Sequence, residues 1–309
     1  MNDPVSIHFD PASLVLLNAI LALMMFGVSL SLRPADFRRV LVSPRAPFAG
    51  LFAQFVLLPA ATCLATWILR IDPPLALGMI LVAACPGGAF SNIMTWLARG
   101  NVPVSVSMTA VSSLAATFLT PFNFAFYGWL NPHTRSLLTS ISVDSGNILL
   151  LVLLVLALPI LLGMWVGRLF PKLAARVEPP LRVVALIVFL AFVAIAFGNN
   201  FDLFVERFDT FFWLVVAHNT MALALGAAMG RAMRLPTADR RAVTLEVGIQ
   251  NSGLGLVILF TFMPSAGAMM LITAFWGVWH LVSGLTLANI WARIPIRDAG
   301  DTAQGTALS

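Results

Sequence analysis

Glu246 is the only acidic residue deep inside an apolar stretch of this 309-residue chain, in the run TLEVGIQNSGL. A carboxylate at membrane depth costs at least a few kcal/mol unless something compensates it. Arg241, five residues earlier, offers an ion pair, but a bound cation is the better partner because neutral oxygen ligands surround the acid. Gln250 lies one turn on, and an unwound backbone over 247–249 would supply carbonyls. Elsewhere Ser105 and Thr109 sit at i and i+4 on one helical face, and Ser113 continues the stripe. Such hydroxyls can also bond back to their own helix. As a set the groups suit a hard cation, which takes oxygen ligands; none is a thiolate of the kind a soft metal selects.

Other polar groups in apolar surroundings read less specifically. Gln54, the pair His218-Asn219 and His280 each lie mid-stretch. A lone intramembrane His or Gln commonly bonds one helix to another, and for His218 that is the favoured reading; His280 stays open between glue and function. Cys63 and Cys85 have no metal-ligand or CxxC spacing and read as small buried apolar side chains. Ser252, followed by Gly at a helix break, with His280 as base, would be a serine protease pair, but it lacks the G-x-S-G context and leaves the cation ligands unexplained.

The elements that must position these residues are membrane spans. The chain is 60% hydrophobic and only 10% charged, with mean hydropathy +0.94, whereas soluble domains carry about 25% charge. The net charge of +5 does not indicate nucleic acid, because basic residues are scattered between long apolar runs. Nine stretches are long enough to span: 13–32, 45–69, 75–98, 104–129, 146–169, 181–199, 210–233, 239–263 and 267–291. The acidic start, MNDPVSIHFDP, with no A-x-A pattern after the first apolar run, makes that run a retained span and not a signal peptide. With the N-terminus outside, 15 of the 18 Lys and Arg residues fall in cytoplasmic segments and 3 on the other side, as the positive-inside rule requires. The end, DAGDTAQGTALS, reads as a disordered cytoplasmic tail over 293–309.

Two spans are interrupted, one by CPGGAFSN over 85–92 and the other by EVGIQNSG over 246–253. Pro removes a donor and Gly adds backbone freedom, and unwound backbone survives at this depth only against protein or a wet cavity. Aligned from their ends, the halves 1–132 and 133–292 place the breaks at matching positions but with opposite starting sides, an inverted repeat whose interface would hold a midplane substrate site. Broken helices also expose helix N-termini, which with Asn92 and Asn251 favour an anion. The expected architecture is therefore an all-α integral membrane protein of about nine spans, an inverted repeat with two broken helices, in contact with the lipid bilayer and with no obligate protein partner evident.

The runs CPGGAFSNIMTWLARGNVPVSVSMTAVSS, TLEVGIQNSGL, VWHLVSG and FGVSLSLRPADFRRVL resemble the bile acid:sodium symporter family, especially its bacterial members, and the resemblance extends over about residues 20–290. It implies a panel domain and a core domain, with the third and eighth spans crossing each other as unwound helices, and two sodium sites. By position the first would use Ser91, Asn92, Ser105, Thr109 and Glu246; the second would use Gln54, Glu246, Gln250 and the backbone oxygens of Val247 and Ile249. The substrate would lie near Gly88, Ala89, Asn92, Asn251 and His280. Nine spans is the number in mammalian members, whereas bacterial members often carry a tenth at the front. Position 89 is Ala where a hydroxyl residue is common in bacterial relatives, which takes away one substrate hydrogen bond. Two sodium ions beside one carboxylate leave a net positive charge that would attract an anion. The resulting expectation is a sodium-coupled symporter of a small organic anion in a bacterial inner membrane, without catalytic residues. A metalloid efflux carrier of related fold, acting through Cys85, is the closest rival.

Overall fold

The computed structural model describes residues 19, 22–23, 25–27, 29–30, 32–140, 157–199, 201–263 and 265–296. Most of the first expected span, the 146–156 half of the fifth and the tail beyond 296 lie outside the described residues. The described residues are helical, with an isolated antiparallel bridge and no named strand.

After the short α1 (Pro34–Val42), four helices among the described residues are long and apolar enough by length and composition to cross a membrane: α2 (Arg45–Ile68), α5 (Val102–Leu130), α10 (Phe208–Ala232) and α13 (Gly267–Ala292). They correspond to the stretches expected at 45–69, 104–129, 210–233 and 267–291. The stretch at 75–98 divides into α3 (Pro73–Ala84) and α4 (Phe90–Leu97), and the one at 239–263 into α11 (Thr237–Gly248) and α12 (Ser252–Phe262). At 1.5 Å per residue, α3 and α4 reach about 18 and 12 Å, so neither alone covers a core of about 30 Å. The remaining helices are α6 (Pro132–Ser140), α7 (Leu158–Leu169), α8 (Pro171–Asn199) and α9 (Phe201–Glu206).

Local sequence sets the boundaries. Proline opens α3, α5 and α7, where a missing N–H costs nothing. Asn101 and Asn251 cap α5 and α12 by accepting the amides of Val104 and Leu254 at 3.3 and 3.1 Å. Arg70, Arg99 and Arg234 adopt left-handed φ values of 50°, 55° and 51° just past α2, α4 and α10, where a cation also suits the negative end of the helix dipole.

The broken helices form the middle of the molecule. α3 packs against α2, α5 and α13; α11 packs against α10, α2, α4 and α5; α13 also covers α4 and α12. All residues from Leu75 to Ala84 are buried, as a helix apolar on every side must be. One core joins Leu77, Ile80 and Leu81 of α3 with Leu254, Val257 and Ile258 of α12. Large apolar side chains cover the outside, among them Phe118, Phe122 and Phe126 at i, i+4 and i+8 on α5, and Trp213 on α10. That pattern suits lipid and not water. The helices α7 and α8 pack on each other and, through Gly163 and Gly167, against Phe26, Ser29 and Leu30: a Cβ at 163 would meet the Ser29 hydroxyl, and one at 167 the Leu30 carbonyl. The two glycines form a small-xxx-small approach.

Candidate functional site

The two breaks cross and hydrogen-bond to each other. Gly87 and Gln250 form an antiparallel bridge; the Gly88 amide donates to the Ile249 carbonyl at 2.6 Å, and the Asn251 amide to the Pro86 carbonyl at 2.8 Å. Gly is required at this approach. A Cβ at 87 would run into Glu246 Oε1, and one at 88 would lie 3.0 Å from the Gln250 carbonyl oxygen. Several freed carbonyls nearby have specific side-chain donors: Ala84 takes the Thr120 hydroxyl at 2.8 Å, Cys85 takes Gln54 Nε2 at 2.9 Å and Gly248 takes Asn219 Nδ2 at 2.8 Å. These bonds satisfy backbone groups that would otherwise be buried unpaired.

Glu246 lies on α11 in its last helical turn, 1% exposed. Its Oε2 accepts from Ser91 at 2.6 Å and Ser105 at 3.2 Å, and its Oε1 from Thr109 at 2.8 Å. Ser105 and Thr109 also reach Asn92 Oδ1, at 2.8 and 3.2 Å. So Ser91 and Asn92 from α4, Ser105 and Thr109 from α5 and Glu246 from α11 converge on one cluster of oxygens. Ser113, a turn further along α5, is buried but not bonded to it. Arg241 does not pair with Glu246. Its guanidinium donates to the carbonyls of Ala98 at 2.6 Å and Ile294 at 2.9 Å, sealing the end of α4.

The break in the second interrupted span is narrower than expected. Helix continues through Gly248, and only residues 249–251 leave it. Val247 is therefore helical, yet its carbonyl is one of the last four and has no partner within the helix; it accepts Gln250 Nε2 at 2.8 Å. Gln250 Oε1 in turn accepts Gln54 Nε2 at 2.6 Å, and Gln54 Oε1 is buried without a partner among the described residues. Gln54 reaches the crossing because α2 widens to a π-helix over Ala53–Leu57, which turns its side chain out of regular register. Pro59, four residues after Phe55, cannot donate to the Phe55 carbonyl; Asn123 Nδ2 does so instead at 2.8 Å. Nothing in the sequence short of that distant Asn signals the π turn.

The residues expected around the anion are less tightly gathered. Gly88 is buried in the bridge; Ala89 opens α4 and is half-buried. Asn92 belongs to the carboxylate cluster through its oxygen. Asn251 caps α12, and its Nδ2 points at Met25 Sδ, 3.8 Å away. His280 is buried on α13 with Nδ1 unpartnered among the described residues, one turn before Gly284, whose Cβ position meets Met94 and Ile249. No hydrogen bond joins His280 to Ser252, so that pair lacks the contact a nucleophile and its base need. His218 bonds Thr62 at 2.8 Å and packs on Trp276, as interhelical glue does. Asn219, missed as a site residue, holds the Gly248 carbonyl and accepts the Ser283 hydroxyl at 2.5 Å. Cys85 is fully buried with its Sγ against Gly255.

No group of three or more His, Cys, Asp or Glu side chains able to hold a metal occurs among the described residues. The cluster instead offers one carboxylate, three hydroxyls and a carboxamide oxygen, a set fitted to a weakly held hard cation. Each hydroxyl now donates to an acceptor, but can rotate to turn a lone pair toward an ion.

The profile of the Sodium Bile acid symporter family matches residues 18–207. The chain is 30% identical to the sodium-dependent transporter YocS of Bacillus subtilis, over 93% of its own length and 87% of that protein's. It is 32% identical to the probable sodium/metabolite cotransporter BASS1 of Arabidopsis thaliana chloroplasts, over 88% and 66% respectively. With the ileal sodium/bile acid cotransporter of Oryctolagus cuniculus it shares 27% identity over 80% and 70%.

Proposed function

Because the chain belongs to the Sodium Bile acid symporter family, a family of sodium-coupled membrane transporters, we propose that it carries a small organic anion across the membrane together with sodium, by alternating access. The observation that carries this reading is Glu246, a buried carboxylate that, among the described residues, is bonded only by hydroxyls, at the crossing of two broken helices. With no basic partner among those residues, its charge is best compensated by a cation that comes and goes.

In this reading one sodium ion is taken by Ser91, Asn92, Ser105, Thr109 and Glu246, whose hydroxyls rotate from donor to ligand. A second is taken by Gln54, Gln250, Glu246 and the carbonyls of Val247 and Ile249, once the Gln54–Gln250 amide pair opens. Two ions against one carboxylate leave a net positive charge beside the N-termini of α4 and α12. An anion is drawn to that charge near Gly88, Ala89, Asn92, Asn251 and His280. The names of the relatives, a metabolite and a bile acid cotransporter, support a carboxylate solute: a bile-acid-like molecule, or a small one such as pantoate or a keto acid. The chain would cross the plasma membrane nine times as an inverted repeat, with the N-terminus outside, an orientation supported by the basic-residue asymmetry.

Thermal stabilisation by a panel of carboxylates, with and without sodium, identifies the solute, since a ligand stabilises the state it binds. Sodium-driven uptake of that solute into proteoliposomes should then vanish in Glu246→Ala; undiminished uptake overturns the mechanism.

A further inference from the structure

Away from the crossing, α10, α11 and α13 enclose a cavity of about 210 Å³ where α11 begins. Arg231, Arg240 and Arg241 line it together with Thr237, Thr244 and Trp291, and no acidic residue does among the described residues. Arg241 is 4% exposed and spends its terminal nitrogens on the Ala98 and Ile294 carbonyls, so it brings a buried charge without a counterion among the described residues. Arg240 gives one nitrogen to the Thr237 hydroxyl at 3.0 Å. Arg231 makes no side-chain hydrogen bond among the described residues and is exposed at the rim. Asp239, in the first turn of α11, is not in the cavity wall and is held by Asn101 Nδ2 at 2.7 Å.

Three arginines around one hollow, with no acidic residue among its described lining, suit an oxyanion, and the planar forks of their guanidiniums match phosphate. The surroundings say which kind. The cavity lies at helix ends, against Trp291, a residue type that anchors at membrane interfaces. Beside it Ile290 and Ile294 expose about half their surface, 52% and 49%, along the outside of α13. A headgroup phosphate can enter while its acyl chains lie against those side chains; a free anion makes no use of them. Basic pockets between spans on the cytoplasmic side take anionic headgroups in this way, and the orientation above puts this end there.

We propose that this cavity binds the phosphate of an anionic phospholipid. Arg241 belongs to α11 and reaches the end of α4, so the bound headgroup bears on a piece of each broken helix.

The test uses the purified full chain in detergent, its thermal midpoint measured with phosphatidylglycerol, with phosphatidylcholine and with inorganic phosphate. Phosphatidylglycerol should raise the midpoint by several degrees, and the other two should not. The double variant R231Q/R240Q should lose at least half of that rise. Equal stabilisation by phosphatidylcholine, a rise reproduced by phosphate alone, or an undiminished rise in the double variant each overturns the proposal. If the double variant does not fold, R231Q alone at the exposed rim decides: a smaller rise supports the site, and an unchanged one overturns it.

Discussion

At the scale of single residues, the centre of the site was legible because a carboxylate in an apolar run has few ways to survive. Glu246 had to find oxygen donors, and the i, i+4 pair Ser105 and Thr109 supplied them on one face of α5. The Arg241 alternative failed for a geometric reason. Five residues of helix turn through about 500°, leaving the two side chains roughly 140° apart around the axis. Gly87 matters as much as the acid, because its missing side chain is the space the carboxylate occupies. Gly87→Ala should push Glu246 off its hydroxyl partners, lower the thermal midpoint by the equivalent of about 1–3 kcal/mol, and erase the extra stabilisation that sodium gives. A Gly87→Ala protein with a sodium-dependent shift of wild-type size would show that the carboxylate is not the cation's ligand.

At the scale of elements, both breaks were legible from Pro-Gly-Gly and Gly-Ile-Gln-Asn, but their extent was not. Whether helix continues past Glu246 depends on who receives the last carbonyls, and those receivers lie on other elements. Asn219 on α10 meets the Gly248 carbonyl from 29 residues away, and Asn123 on α5 meets the Phe55 carbonyl from 68. The π-helix in α2 was invisible for the same reason. Asn219→Leu should strand the Gly248 carbonyl in apolar surroundings, at about 1–3 kcal/mol for an unmet buried group, while the Ser283 hydroxyl keeps the His280 carbonyl. Unfolding in detergent should report the loss. Were the variant as stable as wild type, the break would be held by the Gly88–Ile249 and Pro86–Asn251 bonds alone.

At the scale of the molecule, composition alone demanded lipid, and α2, α5, α10 and α13 answer that demand. What composition did not convey is the close packing of Phe26, Ser29 and Leu30 on Gly163 and Gly167, because glycines within a hydrophobic run leave the hydropathy pattern unchanged. The coupling proposed here has an electrical signature. Two sodium ions entering with a monovalent anion move one net positive charge inward, and each 100 mV of inside-negative potential adds about 2.3 kcal/mol of driving force. Uptake into proteoliposomes should therefore rise when valinomycin and a potassium gradient impose that potential. Uptake indifferent to the imposed potential would mean one sodium ion per anion.

The crossing of the two breaks also sets an order of assembly. The Gly88 amide and the Pro86 carbonyl find their partners at Ile249 and Asn251, more than 160 residues later in the chain. At about 5–20 residues per second on the ribosome, the first break waits roughly 10–30 s for the second to be made. Until then the Gly88 amide and the Pro86 carbonyl need other partners, because the bonds that join the two breaks form only after both have been made.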